Sequence, residues 1–559
     1  MKNFLFQTIK KTRLKRNNFN LSHDVKLSMR LGELIPIFFS DVLPGDTWRL
    51  NTELLIRFAP LIAPIMHRMY VYTHYFFIPK RLLWDDFKEF ITGGEQGNSD
   101  VPYPRMQFRC VGGQMQEPFI TGSLADYLGF PVQDSGPNGD NRLKGSGNIT
   151  IDALPFRAYH LVWNEYYRDQ NLQDEVDINK ELGGILKQGQ YSSDLFKLQR
   201  RAWSKDYFTS SLPFAQRGEP VTLPLLGQAS LFDNGESGGY VDVISGRNPD
   251  SVFAHTPAGT VTTPSNGNVA IGDVEGNKRL IDKDGQQLSI AGGRASIDTI
   301  ANSLGVDLSK VSSSTIVELR NAFKAQAFLE AQARGGSRYI EYLKNIFGVR
   351  SSDARLQRPE YLGGGKQPVI VSDVLQTSQT TLGDDGSAQA NPAGTAASLG
   401  STHSFKRYFE EHGYIIGIMS VLPEPAYQQG MPKMFTKFDR YDHYLPQFAR
   451  IGEQEVNTSE LYYDPFTKDN DSLFGYAPRY AEYKFINSSV HGDFRTSLKY
   501  WHMGRIFANQ PVLNGDFVTS NPTDRIFAVT DENYDKLWVN IHHNCTALRP
   551  MPKYGTPSI

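Results

Sequence analysis

Metal-ligating side chains crowd together at "HHNC", His542 to Cys545, a set that could hold a soft divalent ion if the chain turned two of them to one side. The surrounding alternation reads as a strand, in which neighbours point to opposite faces, so His542 and His543 cannot share an ion. His543 and Cys545 do share a face, but it is the apolar one and no second pair lies nearby, which makes them core residues. His67 and His74 are separated by an odd number of positions and also point apart. No metal site and no cofactor are expected. "GGGKQP", Gly363 to Pro368, has the lysine of a phosphate loop, but Glu360 stands where its first glycine belongs and Gln367 where its hydroxyl belongs. A strand-like "VIVSDVL" follows instead of a helix, so the phosphate-loop reading is set aside. In "KFDRYDHYLPQFARIGEQEV" the carboxylates Asp439, Asp442, Glu453 and Glu455 could form the acid and base of a glycoside hydrolase. The plainer reading is a charged, hydrogen-bonded segment at a loop or subunit contact.

The stronger signal is basic. Lys10, Lys11, Arg13, Lys15 and Arg16 place five cations within seven residues, with little apolar periodicity to hold them in a fold. Such an arm, residues 1–20, suits phosphate neutralisation without sequence reading, and these five are the candidate DNA contacts. A solubilising tail is the competing reading. The whole molecule carries a net charge of −2, so no polyanionic partner is demanded elsewhere. Cys110 and Cys545 are the only cysteines, too few for a disulfide framework. No apolar run approaches the roughly 20 residues of a membrane span, and the apolar stretch near Met1 is too short for a signal-peptide core.

These residues need elements to carry them. "TWRLNTELLIRF" alternates, with Trp48, Leu50, Thr52, Leu54, Ile56 and Phe58 on one side and Arg49, Asn51, Glu53 and Arg57 on the other. "KLWVNIHHNCTALRP" repeats the pattern, with Leu537, Val539, Ile541, His543, Cys545 and Ala547 inward. Strands near both termini, in a chain rich in Tyr, Phe, Gly and Pro, predict an antiparallel sandwich whose terminal strands lie side by side. "MYVYTHYFFIP" differs because both of its faces are apolar. It must be covered twice, by a second layer, an insertion or a neighbouring subunit.

Helix is expected over "TIVELRNAFKAQAFLEAQARGG", from a Thr315 to Glu318 capping box to a Gly335-Gly336 stop, and over "SRYIEYLKNIFG". In residues 227–293, 12 of 67 are Gly and acids outnumber bases 8 to 4, which predicts a long, exposed, turn-rich insertion. Residues 377–404 contain no Lys, Arg, Phe, Tyr or Trp and read as an exposed loop that adds little to a core.

The segments "LIPIFFSDVLPGDTWRLN", "THYFFIPKRLLWDDFKEFITGG", "LPFRAYHLVWNEYYRDQNLQ", "RYIEYLKNIFGVRSSDARLQRPEYLGG", "FDRYDHYLPQFARIGEQE" and "LFGYAPRYAEYKF" resemble, in this order, the major capsid proteins of the gokushoviruses, small single-stranded-DNA bacteriophages of the microvirus family. The resemblance runs from about residue 21 to the C-terminus. It implies a mainly β chain with a single eight-stranded antiparallel jelly roll, residues 21–559, carrying long loop and helical insertions, and no enzymatic activity. It implies sixty copies in a T=1 icosahedral shell within the virion, assembled in the bacterial host cytoplasm. The implied partners are an internal scaffolding protein, a DNA pilot protein, the circular single-stranded DNA and a host surface receptor. In that family an insertion clusters at the threefold axes, and residues 227–293 fit it. Gly235, Gly238, Asn248, Asn266 and Asn268 are its candidate host contacts. A jelly-roll glycan hydrolase or carbohydrate-binding module is the alternative reading.

Overall fold

The computed structural model describes residues 15–554 apart from 96–98, 112–113, 116–118, 133–146, 187–191, 220, 222–229, 234–240, 243–252, 255–268, 275–276, 283–303, 308–315, 336–337, 376–391, 402–404, 467–468 and 532–533. The elements that organise it are β1 (Asn17–Asn20), β2 (His23–Met29), β3 (Ile35–Val42), β4 (Thr47–Phe58), β5 (Met69–Pro79), α1 (Leu154–Val162), α2 (Ile316–Gly335), α3 (Tyr339–Phe347), β6 (Glu360–Pro368), β7 (Ile370–Leu375), β8 (Pro392–Ser401), β9 (Phe405–Tyr408), β10 (Gly413–Pro423) and β11 (Leu537–Arg549).

Two antiparallel sheets hold them. One runs β1-β11-β4-β8-β7, with β2 also on β11 and β9 also on β4; the other runs β6-β5-β10-β3. The alternating strands behave as their pattern requires: Trp48, Leu50, Thr52, Leu54, Ile56 and Phe58 of β4 and Leu537, Val539, Ile541, His543, Cys545 and Ala547 of β11 all face inward and are buried. Strands from the two ends of the chain do lie together, with His23 opposite His543 and Met29 opposite Leu537. One apolar core, including Ile37, Phe38, Trp48, Ile56, Val71, Tyr75, Ile415 and Ile541, joins the two sheets.

A chain of hydrogen bonds also crosses between the sheets inside that core. The Tyr75 hydroxyl donates to Thr52 Oγ1 at 2.6 Å, Thr52 Oγ1 lies 2.9 Å from His543 Nδ1, and His543 Nε2 lies 2.9 Å from the Ile37 carbonyl. Because a carbonyl can only accept, Nε2 carries the proton and Nδ1 accepts from Thr52.

The two-faced strand β5 is covered by the chain itself. Met69, Val71, Tyr75 and Phe77 join the inter-sheet core, while Phe76 and Ile78 join a second cluster with Trp84, Leu154, Phe156, Tyr159 and Val162. That second layer comes from the insertion between β5 and β6. Asp152 anchors it, accepting from the Leu154 amide at 2.9 Å and from the hydroxyls of Tyr103 and Tyr414 at 3.0 and 3.1 Å.

Residues 392–401 require a correction. Expected within an exposed loop, they form β8, which pairs with β4 (Ala397 opposite Arg57) and with β7. Its alternate residues Gly394, Ala396 and Ser398 are buried. Small side chains are what the place requires, since a Cβ on Gly394 would come within 2.7 Å of the Ala63 carbonyl. The rest of 377–404 lies outside the described residues.

The chain divides into two compact units, 1–217 with 330–559, and 218–329. Within the second unit, the stretch expected to be loop contains strand pairs: Ser230–Asp233 with Leu304–Asp307, Val241–Asp242 with Phe253–Ala254, and Val269–Val274 with Asn277–Asp282. Both expected helices form, as α2 and α3.

Candidate assembly surface

The region between β10 and β11 folds on a small core completed by Tyr207 and Phe208 from the insertion between β5 and β6, with Tyr427, Val456, Leu461, Phe474 and Phe517 buried beside them. A hairpin, Glu453–Asn457 with Leu473–Pro478, forms its frame. Glu460 ties the frame down: it completes a capping box with Asn457, accepts from the Tyr207 hydroxyl at 2.9 Å and faces Lys433 Nζ at 3.4 Å. Burial raises its carboxyl pKa, and the Lys433 charge opposes that rise. Lys437 pairs with Glu482 at 2.9 Å and lies 3.7 Å from the Tyr483 ring centre.

Residues 438–451 lie over this frame and are held by their backbone. Tyr480, in the left-handed region at φ 62°, accepts from the Leu445 amide at 3.1 Å and donates to the His443 carbonyl at 3.3 Å. Arg479 donates to the Tyr441 carbonyl at 3.0 Å. The loop is fixed through these main-chain atoms and through the Tyr444 ring, which packs 5.0 Å from that of Tyr480. Phe438, Phe466 and Ile486 are 90%, 94% and 89% exposed, and Met434, Phe435, Tyr444, Ile451 and Tyr483 are each more than half exposed. Isolated exposed apolar residues are ordinary, but so many large ones between residues 434 and 486 are what a protein–protein contact presents.

The hydrolase residues do not form a site. Asp442 Oδ2 accepts from the amides of Phe438 and Asp439 at 3.2 and 3.0 Å, a turn-stabilising role, and Glu453 is buried in an ion pair with Arg334. The segment is the charged, hydrogen-bonded one expected as the plainer reading. His543 spends both ring nitrogens inside the core and burial lowers its pKa to about 4. His542 instead pairs with Asp24 at 2.6 Å on the surface. No group of three or more metal-ligating side chains occurs among the described residues, and no described helix is long and apolar enough to cross a membrane.

Of the basic residues, Lys10, Lys11 and Arg13 lie outside the described residues. Lys15 and Arg16 are exposed, and the Arg16 guanidinium lies 5.4 Å from the Tyr408 ring centre. β1 follows directly and pairs with β11. Gly235, Gly238, Asn248, Asn266 and Asn268 all lie outside the described residues.

Two antiparallel sheets packed on one apolar core, with large apolar side chains left exposed among the described residues, are the build of a structural protein that meets other chains. Residues 7–559 match the family described as "Capsid protein (F protein)", and the chain belongs to that family. It is 35% identical to the capsid protein VP1 of Chlamydia phage 1 and 35% identical to that of Bdellovibrio phage phiMH2K, in both cases over 99% of this chain and 97% of the relative. It is 31% identical to the capsid protein VP1 of Spiroplasma virus 4 over the same shares. The resemblance to gokushovirus capsid proteins is borne out, and with it the reading as a structural phage capsid protein, a component of the virion and not an enzyme.

Proposed function

We propose that this chain is the shell-forming subunit of a T=1 particle of sixty copies that encloses a circular single-stranded DNA genome. The observation that carries this is the family membership of the whole chain, and the nearly full exposure of Phe438, Phe466 and Ile486 supports it, since large apolar side chains left open mark surfaces that other copies cover. The strand orders support a single eight-stranded jelly roll, since β2-β11-β4-β8 in one sheet and β3-β10-β5-β6 in the other send the chain back and forth between the two sheets, with only β5 and β6 paired as neighbours within one. β1, β7 and β9 extend the first sheet.

In this reading the partners are an internal scaffolding protein and a DNA pilot protein, and assembly takes place in the host cytoplasm. Lys10, Lys11, Arg13, Lys15 and Arg16 neutralise genome phosphates from an N-terminal arm. Residues 227–293 form the host-attachment protrusion, with Gly235, Gly238, Asn248, Asn266 and Asn268 as contacts. The separate compactness of 218–329 supports a module that can be removed. Negative-stain microscopy and sedimentation of the protein co-expressed with its scaffolding partner test the shell. Uniform icosahedral particles are expected, and only monomers or small oligomers would overturn the reading. Particles lacking 227–293 should assemble and fail to adsorb to host cells; normal adsorption would remove the attachment role.

A further inference from the structure

The second face of β5 is a row of rings. Tyr70, Tyr72, His74 and Phe76 follow one another at centroid separations of 6.4, 6.4 and 6.3 Å. Phe76 is buried, but Tyr70, Tyr72 and His74 are only half-buried. Cations lie against the open end: Lys366 Nζ is 3.6 Å from the Tyr70 ring centre and the Arg201 guanidinium is 4.1 Å from that of Tyr72. The row runs into a cleft of about 790 Å³ lined by His74, Tyr167, Arg201, Trp203, Arg350 and Tyr361 among others.

What singles this place out is uncompensated charge. The acids lining the cleft are already paired: Asp169 with Lys205, Glu341 with Arg338 and Asp353 with Arg358. Arg201, Lys366 and Arg350 have no carboxylate partner among the described residues, and the one hydrogen bond from the Arg201 guanidinium goes to Ser420 Oγ at 3.4 Å. A half-buried guanidinium held on rings and facing no anion is costly in isolation and is stabilised when an anion enters. Burial first, and the Arg201 charge second, lower the pKa of His74 to about 4, so the histidine serves here as a neutral ring. Tyr361 packs against His74 and Phe76 while 47% of it stays open to solvent. Cations aligned with rings that remain partly open suit phosphates alternating with bases; an acidic peptide would use the cations and leave the rings idle.

We propose that this ring-and-cation face of β5, with the cleft it enters, binds the sugar-phosphate backbone and bases of a single-stranded nucleic acid. The proposal rests on the reading of the chain as a genome-enclosing subunit and assigns that contact to Lys366, Arg201, Arg350 and Tyr361, apart from the N-terminal arm.

The test is fluorescence anisotropy of the full-length, unassembled protein with a labelled oligothymidylate across a salt series. Changing Arg201, Lys366 and Arg350 together to Gln should lower the slope of log affinity against log salt by about 2, at roughly 0.7 for each phosphate no longer neutralised. Tyr361→Ala should weaken binding and leave the slope in place. If the triple variant does not fold, Lys366→Gln with Arg350→Gln, both exposed, should still lower the slope by about 1.4. An unchanged slope in a folded variant overturns the proposal. So does polyglutamate that displaces the labelled strand as well as unlabelled oligothymidylate does, which would assign the face to an acidic protein. Because the readout needs no particle, a failure of shell formation would strike the assembly reading and leave this one standing.

Discussion

Thr52 occupies a hinge in the buried polar chain between the sheets, accepting from Tyr75 and serving His543. Thr52→Val keeps the shape and removes the hydroxyl that bonds Tyr75 and serves His543 Nδ1, which should cost about 1–3 kcal/mol in chemical denaturation. Buried histidines, His543 of this network among them, set a pH dependence. His543, His74 and His160 are each lowered from 6.5 to about 4, burial being the leading cause. Between those values the unfolded chain binds protons that the folded chain does not, so these histidines contribute stability above pH 6.5 that is lost as pH falls towards 4. Glu33, Asp152 and Glu460, raised by burial, act in the opposite sense. The difference between wild type and His543→Gln isolates the histidine: the variant should melt lower at pH 7.5 and lose less on going to pH 4.5.

At the scale of elements, legibility followed side-chain size and charge. β4 and β11 could be read from alternation because one face is wet, and β5 because both are not. β8 could not, since a strand of Gly, Ala and Ser carries almost no hydropathy contrast although it lies within a sheet. Its fit is nonetheless strict. Gly394→Ala would press a methyl against the backbone of Ala63 and Pro64, which cannot swing aside as a side chain can. A destabilisation of about 1–3 kcal/mol, read as a lower denaturation midpoint, is expected. The outward platform was hidden for the converse reason. Phe438, Phe466 and Ile486 have the composition of core residues, and only their exposure in the folded chain shows that they point away.

For the whole molecule, the consequence of that platform is association. Phe438→Ser, Phe466→Ser and Ile486→Ser combined should leave the melting temperature within a few degrees of wild type, because exposed positions away from special features shift stability by no more than about 0.5 kcal/mol. Sedimentation should then show monomers under conditions where wild type forms particles. Particles of normal size from this variant would place the subunit contacts elsewhere. The six segments that carry the family resemblance made this role legible, while the surfaces that execute it depended on packing that one sequence does not display.

β11 lies inside its sheet, with β2 and β4 on either side, and its His542 pairs with Asp24, 518 positions earlier in the chain. A ribosome must therefore translate nearly every codon between them before the sandwich can close, with β2 and β4 waiting as open edges. A prematurely stopped polypeptide that lacks β11 leaves β2 and β4 without the strand that lies between them. Truncation before residue 537 should therefore abolish the cooperative unfolding transition, whereas removal of the residues after 549 should leave it in place.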